Sequence, residues 1–182
     1  MTDLTLNCNL TRIGTKGFGS CFSLKSIVLY GNLTTIEGGS FSRCHSVEAI
    51  EINCSIISIG DNSFSECYKL SKPVLPNSLN SIGNFAFCEC HELTSLTLNG
   101  TISTIGDNAF ANCYNLSSLS LKGDVITIGS LSFFNCQNII SITINCSFLS
   151  IGYASFNSCP KLKYFTHNSY ITNLVFVKVL YQ

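Results

Sequence analysis

Charge is the property that this sequence has least of. Charged residues make up 11% of the 182 residues, and ten basic side chains balance ten acidic ones, so that the formal net charge is zero. An average soluble domain carries about 25% charged residues. The lysines and arginines are scattered along the chain and form neither a basic stripe nor a polybasic segment. The composition therefore argues against nucleic acid and against a membrane surface as partners.

No hydrophobic run is long enough to cross a bilayer. The longest late apolar stretch, residues 171–180, contains Asn173 and Lys178 and has about half the length that a spanning helix needs. Asp3 stands where a signal peptide has a basic region, and no long apolar run follows it. We therefore expect no membrane insertion, and the missing signal peptide leaves a cytoplasmic location open.

Motifs for catalysis are missing as well. The three histidines, His45, His91 and His167, form no recognisable arrangement with a serine or cysteine nucleophile. GxSxG, HExxH and phosphate-binding loops do not occur. We predict that the protein is not an enzyme and that it carries no cofactor.

What the sequence has in abundance is repetition. The same unit returns every 23 residues over seven copies, and in each copy phenylalanine follows isoleucine by five positions and cysteine follows it by eight. A strict period of this size predicts a solenoid, in which each coil buries its apolar face only against its neighbours. The isoleucines that begin the repeats are Ile13, Ile36, Ile59, Ile82, Ile105, Ile128 and Ile151.

The first part of each coil is predicted to be a short helical segment. In the fifth copy, Gly106 follows the isoleucine and is expected to have a positive φ at a sharp exit from a strand. Asp107 is a residue type that begins helices, and Phe110, Cys113 and Leu116 follow at three-residue steps. That spacing is typical of one face of a short α-helical or 3₁₀ turn.

The second part of each coil is predicted to form two short strands. Leu119 and Leu121 alternate with serines, as inward residues of a half-buried strand do. After a turn, Val125 and Ile128 form a second short apolar strand, and Phe148 occupies the position of Val125 in the next coil. Stacked coils would align these strands in parallel ladders about 4.8 Å apart.

Two motifs of the repeat carry a family resemblance. The segment Leu93-x-x-Leu96-x-Leu98-x-x-Thr101 matches the core LxxLxLxxN, and the unit Ile-Gly-x-x-Ala/Ser-Phe-x-x-Cys recurs between about residues 4 and 165. With its 23-residue period, the chain resembles the BspA-like leucine-rich repeat family, in its Treponema pallidum type. The resemblance implies a right-handed leucine-rich-repeat solenoid of about seven repeats, with parallel β-ladders.

The same resemblance implies a function. Members of this family are surface proteins of bacteria and parasitic protists, and they bind matrix or host proteins. We therefore expect a cell-surface or secreted protein that adheres to a host-cell or extracellular-matrix protein. The alternative is an intracellular scaffold for protein–protein interaction. Six N-glycosylation sequons favour the extracellular setting: Asn9, Asn32, Asn53, Asn99, Asn115 and Asn145.

The repeat divides the chain into one array and a tail. Residues 1–174 are predicted to form a single solenoid, and residues 175–182 an irregular C-terminal tail or cap. Pro73 and Pro76 cannot donate a ladder hydrogen bond, so we expect a local break in the third coil. The leucines of the first ten residues already occupy repeat positions, from which we expect that the chain is a fragment or has lost its start. Uncapped ends would allow self-association.

Seven of the eleven cysteines form one column of the repeat. Adjacent coils would place their Cα atoms about 5 Å apart, which is within disulfide range. The column shares the apolar stripe of phenylalanine and leucine, however, and an unpaired cysteine packs as a small hydrophobe. We predict a core role for the column and no metal site; a disulfide ladder or a thiol cluster for metal is the alternative.

A column of rings directly follows the cysteine column. Its position lies outside the buried three-residue register, so we expect it to face solvent. An exposed aromatic stripe offers a protein partner large contact area at low entropic cost; alternatively, the rings lie flat between coils and stiffen the stack. We name these residues the outer ring strip: Phe22, His45, Tyr68, His91 and Tyr114.

The outward side of the longer strands is a second candidate surface. Leucine-rich repeat proteins commonly bind protein partners on this side of the sheet. A ladder of hydroxyl residues is equally compatible with a solvated β-surface that is selected for strand propensity and cross-strand pairing. We name these residues the hydroxyl face: Ser95, Thr97, Ser118, Ser120, Ser141 and Thr143.

Overall fold

The chain folds as a parallel β-solenoid of about seven coils with some 23 residues in each. The computed structural model describes residues 1–100, 102–123 and 125–174. Within these ranges all strand pairs are parallel and no helix occurs. The predicted solenoid is confirmed. The predicted C-terminal tail, residues 175–182, lies outside the described residues.

Each coil contributes a strand to one or both of two β-faces. The long-strand face comprises β1 (Asp3–Cys8), β3 (Ser26–Gly31), β5 (Ala49–Asn53), β8 (Ser95–Leu98), β10 (Ser118–Lys122), β12 (Ser141–Asn145) and β14 (Tyr164–His167). The short-strand face comprises β2 (Arg12–Ile13), β4 (Thr35–Ile36), β6 (Ser58–Ile59), β7 (Ser81–Ile82), β9 (Thr104–Ile105), β11 (Val125–Ile128), β13 (Phe148–Ile151) and β15 (Tyr170–Leu174).

The two faces differ in continuity. The short-strand face is one eight-stranded sheet, whereas the long-strand face is split into a three-stranded and a four-stranded sheet. Between these two sheets the third coil contributes an isolated bridge from Glu51 to Val74. Pro73 precedes Val74 and Pro76 follows it closely. Because proline has no N–H, the ladder cannot continue through this segment, and the predicted local break is confirmed.

The segment that joins the short strand to the next long strand is a series of tight turns. In the third coil the N–H of Ser63 donates to the carbonyl of Gly60, and a similar turn closes from Cys67 to Phe64. The third residue of the first turn, Asn62, has a φ of 58°, and the corresponding residues of other coils are also left-handed. An α-helical or 3₁₀ turn needs negative φ throughout. The predicted short helical turns are therefore wrong.

The turns of neighbouring coils are joined through their backbones. The N–H of Asn62 donates to the carbonyl of Asn84 in the next coil, and that of Phe64 donates to the carbonyl of Ala86, both at 2.8 Å. Asp61 stands in the column predicted to begin a helix, yet its carboxylate accepts the N–H of Asn84 at 2.7 Å. Backbone groups that a helix would pair within itself are thus paired between coils.

In five coils the glycine after the isoleucine is needed for close stacking, namely Gly60, Gly83, Gly106, Gly129 and Gly152. Glu37 follows Ile36 instead, and a Cβ on Gly14 would meet no atom within 4 Å. Gly31 and Gly39 are the glycines with positive φ in the described part of the chain, so the positive φ expected at Gly106 is wrong. A Cβ on Gly106 would lie 2.6 Å from the backbone nitrogen of Asn84 and 2.7 Å from the carbonyl carbon of Gly83. With any larger residue, adjacent coils could not approach each other as closely as they do.

Phenylalanine rings form the centre of the core. Adjacent rings are stacked with centroids 5.2–5.3 Å apart and planes within 15° of each other. Beside them, the buried hydroxyl of Ser63 donates to the carbonyls of Gly60 and Glu37, so that it ties two coils together and leaves no polar atom unpaired. We name the rings the inner phenylalanine stack: Phe18, Phe41, Phe64, Phe87, Phe110, Phe133 and Phe156.

The short strands lengthen toward the end of the array, and the positions in them that point into the core change. In β13, Leu149 and Ile151 are buried, while Phe148 is 48% exposed. Because successive side chains of a strand point to opposite faces, burial of Leu149 and Ile151 turns Phe148 outward. The predicted core position of Phe148 is therefore wrong. The side chain of Val125, its partner in β11, lies outside the described residues.

Candidate functional site

The outer ring strip forms a second stack of rings beside the core. Ring centroids are 5.1 Å apart between Phe22 and His45, and 4.7–4.9 Å apart between each later pair up to Tyr114. The planes of the later pairs differ by 20–23°. This is the geometry that the stiffening interpretation expects, with rings lying flat between coils. A role of the strip in binding stays a prediction.

The outer ring strip is only partly buried. Phe22 is 52% exposed, and the side chains of His45 and His91 are 32% and 33% exposed. Each ring covers part of the faces of its neighbours. The strip therefore presents to solvent mainly the ring edges, whereas His45 Nε2 is buried without a hydrogen-bond partner.

Two glutamates lie along the strip and bond to its rings. The hydroxyl of Tyr68 donates to Glu66 Oε2 at 3.0 Å, and His91 Nε2 lies 2.7 Å from Glu89 Oε2. The side-chain amide of Asn112 donates to Glu89 Oε1 at 2.6 Å. Glu66 and Glu89 both stand at left-handed turn positions, with φ of 60° and 64°. These contacts place two carboxylates at the middle of the strip.

The tyrosines of the strip keep their protons more firmly than free tyrosine does. The hydrogen bond to Glu66 raises the pKa of Tyr68, and burial, helped by the charge of Glu89, raises the pKa of Tyr114. Both hydroxyls are neutral at physiological pH. That of Tyr68 already donates to Glu66, and that of Tyr114 can donate to a ligand. The strip can thus offer donors, acceptors and apolar ring edges to a ligand.

The hydroxyl face is assembled as the sequence predicted. Its residues alternate with buried ones in β8, β10 and β12, so their outward orientation is confirmed. The parallel register aligns them in two rows, one through Ser95, Ser118 and Ser141 and the other through Thr97, Ser120 and Thr143. Whether this face binds a partner stays a prediction.

The cysteine column lies in the core. Six of its residues, from Cys44 to Cys159, are buried and Cys21 is half-buried, so the predicted core position is confirmed. The buried thiols each donate to the carbonyl of a phenylalanine in the preceding coil at 3.2–3.4 Å. Burial raises the pKa of Cys44 to about 11 and those of Cys90 and Cys113 well above the ordinary range. Since the thiolate is the reactive form, these thiols are poor nucleophiles.

In residues 1–100, 102–123 and 125–174, no group of three or more histidine, cysteine, aspartate or glutamate side chains could hold a metal ion. The same ranges contain no helix with the length and apolar character needed to span a membrane. The outer ring strip and the hydroxyl face offer a partner contact area and hydrogen-bonding groups.

Sequence reasoning missed two features of the surface. Glu66 and Glu89 each precede a strip ring by two residues, and this spacing was the available signal for their contacts. Phe148 and Tyr170 are exposed, with ring centroids 6.3 Å apart. For Phe148 the signal was the apolar residue next to it, Leu149, which alternates with Ile151.

A comparison with models of protein families agrees with the solenoid fold. The model of the BspA type leucine rich repeat region matches the chain with six copies, over residues 1–90 and 58–177. No curated protein matches the chain.

Solved structures share the fold at low identity. The leucine-rich repeat protein of T. pallidum is 22% identical with a TM-score of 0.69, and the match covers 80% of this chain and 72% of that one. The pneumococcal vaccine antigen PcpA is 18% identical with a TM-score of 0.67, and 92% of this chain matches 61% of that one. At this level of identity the likeness shows a shared fold.

Proposed function

Because this chain belongs to the BspA-type leucine-rich repeat family, we propose that it is a non-enzymatic module that binds host or extracellular-matrix proteins. We place it on the cell surface or among secreted proteins. The family supports protein–protein interaction in general. The extracellular setting is supported by the exposed sequon residues Asn32 and Asn53, and by the fold shared with the pneumococcal vaccine antigen PcpA.

The observation that carries this proposal is the outer ring strip. It extends over five coils, and each ring is held by contact with the next. The turns beneath it are tied to each other by backbone hydrogen bonds. Such a preordered aromatic surface loses little conformational entropy when a partner binds.

The charges along the strip indicate the kind of segment that would bind there. Glu66 and Glu89 lie beside the rings, and Glu92 is exposed one column further on. Arg43 Nε lies 3.7 Å from Glu66 Oε2, and Lys69 is exposed in the same column as Glu92. These two cations offset part of the charge of the three carboxylates. Since complementary charges steer association and set specificity, we expect a segment of the partner that carries basic side chains.

The test is binding of the purified chain to immobilised laminin, collagen and fibronectin by biolayer interferometry. We expect at least one of these proteins to bind, and the double variant Tyr68→Ser with Tyr114→Ser to weaken that binding by about tenfold or more. The matched control carries Ser95→Lys and Thr97→Lys on the hydroxyl face and should bind as the unchanged chain does. Circular dichroism confirms that each variant is folded.

Two results would count against the proposal. Absence of binding to all three matrix proteins would contradict adhesion to matrix. If the hydroxyl-face variant lost binding while the strip variant kept it, the module would bind through its long-strand face, and the assignment to the outer ring strip would be wrong.

An intracellular scaffold is the second candidate, and the thiols favour it. Ten cysteines in the described part of the chain are free, and free thiols persist best in reducing compartments. Cell fractionation of the native protein with a test for N-glycans separates the two candidates. A protein that is wholly cytosolic and unglycosylated would rule out the adhesion proposal.

A further inference from the structure

A groove of about 820 Å³ lies between the two β-faces in the later coils. It runs where the long strands end and the short strands begin, between residues 80 and 170. Of the described residues that line it, only Lys122 is charged. The groove is separate from the outer ring strip, whose residues do not line it.

Two glycines keep the floor of the groove open. Gly100 and Gly123 occupy the same position in successive coils. A Cβ on Gly100 would collide with the carbonyl oxygen of Asn77, and a Cβ on Gly123 would collide with that of Ile102. The stacking of the coils therefore requires glycine at both positions, which leaves a depression without side chains.

Two exposed rings form one side of the groove. Phe148 and Tyr170 are partners in the register of β13 and β15, and they are 48% and 79% exposed. Their centroids are 6.3 Å apart and their planes differ by 34°, so they do not cover each other as the strip rings do. Large parts of both rings are therefore open to a ligand.

The polar lining consists mainly of amides and hydroxyls. Asn145 is exposed at the end of β12. Asn168 is held in place because its Oδ1 accepts the N–H of Cys146 at 3.2 Å, and its amide nitrogen supplies donors. Ser147 adds a hydroxyl on the same rim. A side-chain amide can both donate and accept hydrogen bonds, which suits a ligand rich in hydroxyl groups.

We propose that this groove binds an uncharged oligosaccharide. A pyranose ring has an apolar face of C–H groups, which packs on open aromatic rings, and a rim of hydroxyls, which pairs with amides. Phe148 and Tyr170 supply the apolar contact, and Asn145 and Asn168 supply the hydrogen bonds. The outer ring strip does not fit this ligand, because its ring faces are taken up by stacking.

The experiment is isothermal titration calorimetry of the whole chain with chitotetraose, cellotetraose and mannotetraose. The chain is produced in a host without N-glycosylation, because Asn145 is also a sequon residue. We expect at least one of the three sugars to bind. The single variant Tyr170→Ser and the double variant with Phe148→Ser should weaken that binding by about tenfold or more.

Tyr164→Ser is the matched control, because Tyr164 is also exposed but does not line the groove; this variant should bind the sugar as the unchanged chain does. Tyr170 is so exposed that its substitution should leave the fold intact, even if the double variant failed to fold. The proposal is overturned if none of the three sugars binds, or if Tyr170→Ser binds as well as Tyr164→Ser. The groove variants should leave binding to matrix proteins unchanged, so this test is independent of the proposed adhesion function.

Discussion

The inner phenylalanine stack and the outer ring strip run side by side with the same 23-residue step, yet they differ in composition. The inner stack repeats one residue type in all seven coils, whereas the strip mixes phenylalanine, histidine and tyrosine. Inner rings from Phe41 onward are fully buried, so that only an apolar ring of one volume fits. Strip rings need only a flat ring, because their edges meet water. A constant residue thus marks packing, and a variable one marks surface.

The largest expected difference between the two stacks is in stability. Phe87→Ala removes a fully buried ring that is stacked on both sides, and we expect a loss of about 3–5 kcal/mol in the free energy of unfolding. Equilibrium urea unfolding, followed by circular dichroism, measures this loss. Tyr164→Ala, at an exposed position outside both stacks, is the control and should change stability little. A loss for Phe87→Ala no larger than that of the control would contradict the assignment of the inner stack as core.

A smaller loss is expected in the outer ring strip. Tyr68→Ala removes one ring that contacts His45 and His91, and we expect a loss of about 1 kcal/mol. Tyr68→His is the matched control, since histidine already occupies this position in both neighbouring coils. It should retain most of the stability in the same urea titration. If both variants lost as much as Phe87→Ala, the strip would be part of the core rather than a surface.

The sequence was sufficient to predict the solenoid and its core columns. A strict repeat places every residue of a column in the same surroundings, so that the columns of Phe87 and Cys90 could be recognised as buried. The helical turn was predicted wrongly because three-residue spacing does not show where the N–H of Asn62 finds its acceptor. That acceptor is in the next coil, and the requirement for glycine at Gly106 likewise arises only when two coils are in contact.

The candidate surfaces were predicted in position but not in detail. The columns of the outer ring strip and the hydroxyl face follow from the register of the repeat. The bonds of Glu66 to Tyr68 and of Glu89 to His91 depend on left-handed backbone positions that the sequence pattern does not show. One side of the groove is formed by Phe148, which points outward although the repeat pattern assigns its column to the core. A prediction that rests on the repeat alone therefore overlooks the groove.

The smallest effect that distinguishes the two stacks is a titration, because only the outer stack carries groups that bond to charges. The Tyr68–Glu66 hydrogen bond raises the pKa of Tyr68 in the folded protein, so its stabilising contribution is present below the pKa of the unfolded chain, about 10. That contribution is lost as pH rises through the higher folded value. Phenolate absorbance of the chain minus that of Tyr68→Phe isolates this titration, and Glu66→Gln should return the pKa toward its ordinary value. If Glu66→Gln left the titration of Tyr68 unchanged, the carboxylate would not be bonded to the ring hydroxyl, and the negatively charged edge proposed to attract a basic segment would lose its main support.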